Sequence, residues 1–404
     1  MSDFSNRIQT LAVRWNAGLA EQVVQQIAAR FWAAEGRPDA ELLDQAERMR
    51  RLLKQQLART SVPAEQIRLL ATSYNLEQGL ARRVVALSLA KNLRHLAERK
   101  TDVLHQARAA FLLADAWYLV GALPFSIDWS KRGFGEAKPL EMRGQGGRPY
   151  RVLYAEQEAN LALRLALQGG MYAQAVRLID DALNRYQALN DTAGQSSMLG
   201  VLAEIHMLQG RWAESVDAAR RSLQVADPLP DKARTAHALW AGARSAARLG
   251  NLETARAWAM QARTISRQDD LPALTGAYLA EATMAVLTGD PSGAIPAADR
   301  AVALANAWNA DILRHWAMLE RSWIRMAAGQ IDLDEMRTTV AAFAKSGAGT
   351  LEAEAWYALH HALESTGQPS QAEYNKAQEQ FERLKMDWHA AKASSNETLL
   401  IRVG

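Results

Sequence analysis

His361 and Glu364 stand three residues apart in "YALHHALEST", a spacing that puts two metal ligands on one face of a helix. No third ligand follows at helical spacing, and the histidines are scattered along the chain, so the reading is no metal and no cofactor. Paired carboxylates, the raw material of general acid–base work, occur at Asp180-Asp181 and Asp269-Asp270, where helix ends, loops and capping account for them. The sequence contains neither HExxH nor GxSxG. It has no cysteine, which removes disulfides, thiolate metal sites and cysteine nucleophiles together. What is left describes a protein that binds and not an enzyme.

Binding chemistry is better represented. Residues 1–151 hold 23 Lys/Arg against 15 Asp/Glu, whereas residues 152–404 hold 24 against 29. A basic first third permits a polyanionic partner. Within it, residues 64–87 fit a helix-turn-helix template, with Ala71 at the small contact position, Asn75 at the turn and Leu70, Leu76 and Val84 inside. Gln78, Arg82 and Arg83 would then face DNA, which makes a DNA-binding regulator with a sensor domain the alternative reading. Residues 122–151 read as an insertion loop, since 126–151 alone carry five glycines, two prolines and six basic residues. Gly133-Phe134-Gly135 and Gly144-Gln145-Gly146-Gly147 make neither GxGxxG nor GK[ST], so phosphate cradling is not indicated. The stretch instead suggests a basic flap with Trp129, Phe134, Arg143 and Arg148.

These residues need elements to hold them, and the elements repeat. Gly170, Gly210, Gly250, Gly289, Gly329 and Gly367 recur at intervals of 40, 40, 39, 40 and 38 residues. A mostly large residue follows two places on (Tyr172, Trp212, Leu252), and a small one five places on (Ala175, Ser215, Ala255, Ala294). Glycine ends the first helix of a pair in the left-handed conformation, and small residues let the two helices approach. Apolar positions recur at three and four residues, as in "VLAEIHML". The pattern predicts an all-α solenoid of antiparallel helix pairs. Upstream, Gly36, Gly79 and Gly121 read as weaker turns, so residues 1–121 are divergent repeats or a separate helical domain. Residues 152–385 form the regular array, and 386–404 a cap or tail.

The glycine, large and small pattern resembles the tetratricopeptide repeat, best in "LAEIHMLQGRWAESVDAARRSLQVADP" (202–228), in the long-period variety found in bacterial regulators. That resemblance implies a right-handed solenoid whose first helices line a concave groove for a protein or peptide. Carried over position by position, it points to Asn160, Arg164, Glu204, His237, Trp240, Arg244 and Arg248. Further along it points to Trp316, Trp323, Tyr357 and His361. Guanidinium forks suit carboxylates and indoles suit apolar side chains. The family's carboxylate clamp is not indicated, because Asn160 and Arg164 occupy its lysine and asparagine positions.

Composition agrees with a helical scaffold: 49% of residues are apolar and only 7% aromatic. No run approaches the length of a membrane helix, and "MSDFSNRIQT" lacks a signal pattern. The expectation is a cytoplasmic scaffold or adaptor with no membrane partner, open to forming a homodimer.

Overall fold

The 40-residue period resolves into helix pairs. In a computed structural model describing residues 3–99, 103–142, 147–267 and 270–394, α1 (Asp3–Val13) precedes the run of pairs. These are α2 (Ala17–Ala33) with α3 (Ala40–Arg59), α4 (Pro63–Gly79) with α5 (Arg83–Glu98), and α6 (Val103–Leu119) with α7 (Leu123–Met142). Then come α8 (Gly147–Gln168) with α9 (Tyr172–Ala188), α10 (Thr192–Leu208) with α11 (Trp212–Ala226), and α12 (Ala236–Arg248) with α13 (Leu252–Ile265). The array continues through α14 (Leu271–Leu287) with α15 (Pro291–Trp308), and α16 (Asp311–Ala327) with α17 (Leu333–Ser346). It ends with α18 (Gly349–Ser365), α19 (Gln371–Leu384) and α20 (Asp387–Ser394). Among the described residues there is no strand, and no helix is long and apolar enough to cross a membrane.

The six regular glycines all adopt positive φ, between 69° and 87°, as a left-handed helix stop requires. Asp191, Asn251, Asp270, Asp290 and Asp332 cap the helices that follow them through their side-chain oxygens. Asp180 and Asp181, by contrast, lie exposed in mid-helix on α9, not at an end.

Three expectations are corrected. Gly79 is not a turn: it closes α4, and Ala81, at φ 55°, takes the left-handed position. Gly79 serves a close helix crossing instead, since a Cβ there would lie 2.5 Å from that of Ala28. The helix-turn-helix is absent as well, because α4 runs unbroken through Asn75, and Arg83 is buried against Trp308 and not presented to solvent. Finally, the expected loop at 122–151 is largely the helix α7. Tertiary packing overrides the low helix propensity of its glycines. Gly133 admits the ring of Phe111, which a Cβ would meet at 2.5 Å, and Arg94 grips Glu136 through two hydrogen bonds of 2.6 Å. Phe134 packs between Phe111 and Tyr154 at ring distances of 5.0 and 4.9 Å. Trp129 is flanked by Arg94 and Arg132, and Arg148 is exposed, donating to the carbonyl of Leu189. Arg143 lies outside the described residues.

The stack winds tightly enough to touch itself. Arg83 at the start of α5 donates to the Trp308 carbonyl at the end of α15, and Gly121 after α6 lies against Asp311, which opens α16. Thr350 of α18 donates to the Ala166 carbonyl of α8 at 2.7 Å, and Gly210 after α10 lies against His389 of α20. Each contact joins elements ten helices apart, so five helix pairs complete one superhelical turn and enclose the concave face.

Candidate functional site

Two inward positions on each first helix decide how much of that enclosed face is filled. Counting six residues back from the left-handed turn residue gives Asn75, Asp115, Arg164 and Glu204, then Arg244, Thr283, Trp323 and His361. Counting ten back gives Ala71, Phe111, Asn160 and Gly200, then Trp240, Leu279, Leu319 and Tyr357. Side chains in the first half of each series are mostly smaller than those in the second. The axis is therefore open toward the N-terminal helices and solid beyond them.

The solid part takes up most of the sequence-derived groove residues. Trp240 (2% exposed), Trp316, Trp323, Tyr357 and His361 are buried and pack on one another, with Trp240 and Trp316 rings 5.4 Å apart and Tyr357 and His361 rings 4.5 Å apart. Arg244 is buried too, paired with Glu320 and stacked over Trp316. Arg248, half-buried, stacks on Trp212 and Trp388, and burial, then the neighbouring Arg244 charge, lower its guanidinium to about 10. α20 seals this end: Trp388 stands edge-on to Trp212, and His389 faces Glu354 at 3.4 Å. These side chains are interior packing: Trp240 and Arg244 of α12 meet Trp316 and Glu320 of α16, and Trp212 of α11 meets Trp388 of α20.

The open part is a groove crossing α2, α4, α6 and α8. It comprises two adjoining cavities of about 610 and 500 Å³ that share Asn75, Leu112 and Asp115. Each falls in the range of ligand sites. Arg164 shapes its floor: the guanidinium pairs with the Asp115 carboxylate, donates to Ser130 Oγ at 2.7 Å and stacks over Tyr118 at 5.5 Å. Gln157 donates to the other Asp115 oxygen at 3.4 Å. Asn75 is exposed and Asn160 half-buried, and neither makes a side-chain hydrogen bond among the described residues. A free carboxamide offers a donor and an acceptor side by side.

The groove's two ends differ. At one, Arg68 pairs with Glu21 at 2.7 Å beside Arg108. At the other, Trp32, Trp308 and Tyr118 form an aromatic wall, with Trp32 and Trp308 4.7 Å apart and Arg83 4.9 Å over Trp308. Arg83 finds backbone carbonyls of Gln78, Trp308 and Asn309 as acceptors, and burial lowers it to about 10. Further along the axis, half-exposed His237 stands 3.8 Å from Glu204 and 4.0 Å from Asp270. Burial alone would lower this imidazole, but its contact with Glu204 and the charges of Asp270 and Glu204 outweigh that and raise it to about 9. Glu156 at the rim is raised by desolvation, with Arg234 opposing and Asp115 and Asp191 adding.

Of the sequence-derived residues, Asn160 and Arg164 line this groove, and Glu204 and His237 lie beyond it. Asn75, Asp115, Gln157, Trp32 and Trp308 belong to it without having been singled out for it. The signal was present for both: Asp115 stands six residues before the Gly121 turn, and Asn75 six before Ala81, a register that shows only when that turn is placed at Ala81 and not at Gly79.

Comparison with known proteins follows the same lines. Residues 194–268 match the tetratricopeptide repeat. No curated protein matches in sequence. Among solved structures, a Rap protein complexed with Competence and Sporulation Factor superposes with a TM-score of 0.60 at 13% identity, covering 93% of this chain and 99% of that one. The Rap conjugation gene regulator of plasmid pLS20, in complex with the Phr* peptide, gives 0.60 at 10% identity over 92% and 97%. NprR in complex with its cognate peptide NprX gives 0.57 at 12% identity over 85% and 94%. Residues 194–268 thus carry the tetratricopeptide repeat within a longer solenoid of helix pairs.

Proposed function

We propose that this protein is a peptide-binding regulator that takes an extended peptide in the groove across α2, α4, α6 and α8, and acts by binding and not by catalysis. The observation that carries this reading is the pair of unengaged carboxamides, Asn75 and Asn160, in the open half of an otherwise filled superhelix. Each presents the complement of a peptide group's N–H and C=O, so together they can hold a main chain whatever its side chains. The Trp32–Trp308–Tyr118 wall offers apolar contact at one end. The Arg68–Glu21 end offers charge.

The similar structures solved with peptides, the Rap regulator and NprR, support the class of ligand. Selection from a displayed random peptide library tests it. Enriched peptides are expected to lose at least about tenfold in affinity for an Asn75→Ala, Asn160→Ala double variant, the equivalent of about 1.4 kcal/mol. Equal affinity for the variant, or no enrichment, counts against the reading.

A further inference from the structure

His360, His361 and Glu364 share the last turns of α18, and one ligand atom of each lies within 4.8 Å of the other two. His361 Nδ1 stands 3.6 Å from a Glu364 oxygen. Both imidazoles are buried, 7% and 6% exposed, while the carboxylate reaches solvent. Two ring-nitrogen ligands therefore sit behind an exposed acidic one, which gives an ion a way in.

A second observation concerns the proton on His360. Its Nδ1 lies 3.2 Å from the Ser370 carbonyl, an acceptor only, so Nδ1 carries the hydrogen and Nε2 keeps its lone pair. That Nε2 is buried with no hydrogen-bond partner. A ring nitrogen tied to a backbone carbonyl, with the other left as a base, is how proteins orient histidines toward metals. Stacking fixes the rings as well: His360 against Tyr374 at 5.2 Å, His361 against Tyr357 at 4.5 Å.

We propose that His360, His361 and Glu364 bind one divalent transition-metal ion of borderline softness, such as zinc, cobalt or nickel, with solvent completing its shell. Two imidazoles and one carboxylate suit these ions and not calcium or magnesium, which need mainly oxygen ligands. The site lies at the end of α18 in the filled half of the superhelix, remote from the peptide groove, so it stands or falls separately from the proposed ligand.

The test titrates the untagged full chain with cobalt(II), followed by its visible d–d absorption, and with zinc(II) by calorimetry. One equivalent is expected to bind, and Glu364→Ala, a change at an exposed side chain, is expected to weaken uptake by more than about tenfold. His360→Gln should shift the cobalt spectrum, with far-ultraviolet circular dichroism showing the fold retained. Absence of stoichiometric uptake, or uptake undiminished by Glu364→Ala, overturns the proposal.

Discussion

Trp240 separates a filled axis from an open one, and its truncation can be worked through. The side chain is 2% exposed, its ring lies 5.4 Å from that of Trp316, and α14 meets it at Gly276, where a Cβ would fall 2.5 Å from the indole. Trp240→Ala removes a whole indole from a site that two rigid helices prevent from collapsing. The expected cost is about 3–5 kcal/mol, transfer and cavity terms together. Gly276→Ala alone forces a methyl into the ring and is expected to cost about 1–3 kcal/mol. In the double variant the methyl enters the vacated space, so the two costs should not add. A favourable coupling of about 1–2 kcal/mol is expected. Urea unfolding followed by far-ultraviolet circular dichroism measures all three variants, with constant m-values as the check on comparability. A loss below about 1 kcal/mol for Trp240→Ala, or strict additivity, would refute the reasoning and return Trp240 to an open groove.

Other consequences are narrower. Ala81 holds a left-handed conformation that costs a residue with a Cβ about 1–2 kcal/mol, so Ala81→Gly should raise stability by up to about 1 kcal/mol in the same assay. On α7, Gly133→Ala should destabilise, because Phe111 occupies its Cβ position. Gly135→Ala, with nothing within 4 Å, should stabilise by about 0.5–1 kcal/mol. Opposite signs two residues apart would check the helical reading of that stretch by thermal melts. His237, raised to about 9 from 6.5, contributes stability that is fully present below pH 6.5 and lost as pH rises through 9. His237→Asn should abolish that part of the decline in melting temperature between pH 6.5 and 9.

The architecture was legible because one residue type does one job at one spacing: a glycine at positive φ closes each first helix from α8 onward. The same logic failed upstream, where Ala81 takes the glycine's conformation and Gly79 serves a helix crossing. That two-residue offset moved Asn75 out of the inward series and into a supposed DNA-binding turn. Residues 122–151 misled for a related reason, since Gly133 is used for close approach to Phe111 and Gly135 is left on the surface. The sequence-derived groove residues from Trp240 onward sit on first helices but are buried or half-buried among one another. Periodicity reports which way a side chain points, however, not what stands opposite it, and here the superhelix closes after five pairs and brings Trp, Tyr and His residues together. Trp308 shows the same limit from the other side: nothing local marks it as meeting Trp32 and Arg83 in the neighbouring turn of the superhelix.

Whether a peptide sits in the open groove over α2, α4, α6 and α8 is read out by site-specific photocrosslinking. A photoreactive phenylalanine analogue replaces Gln25, exposed on α2 at the groove, in one protein and Met260, exposed on α13, in another, and each is irradiated with the same selected peptides. Peptide adducts at position 25 and none at 260 are the predicted result. Equal labelling at both positions, or labelling at 260 alone, would contradict the account.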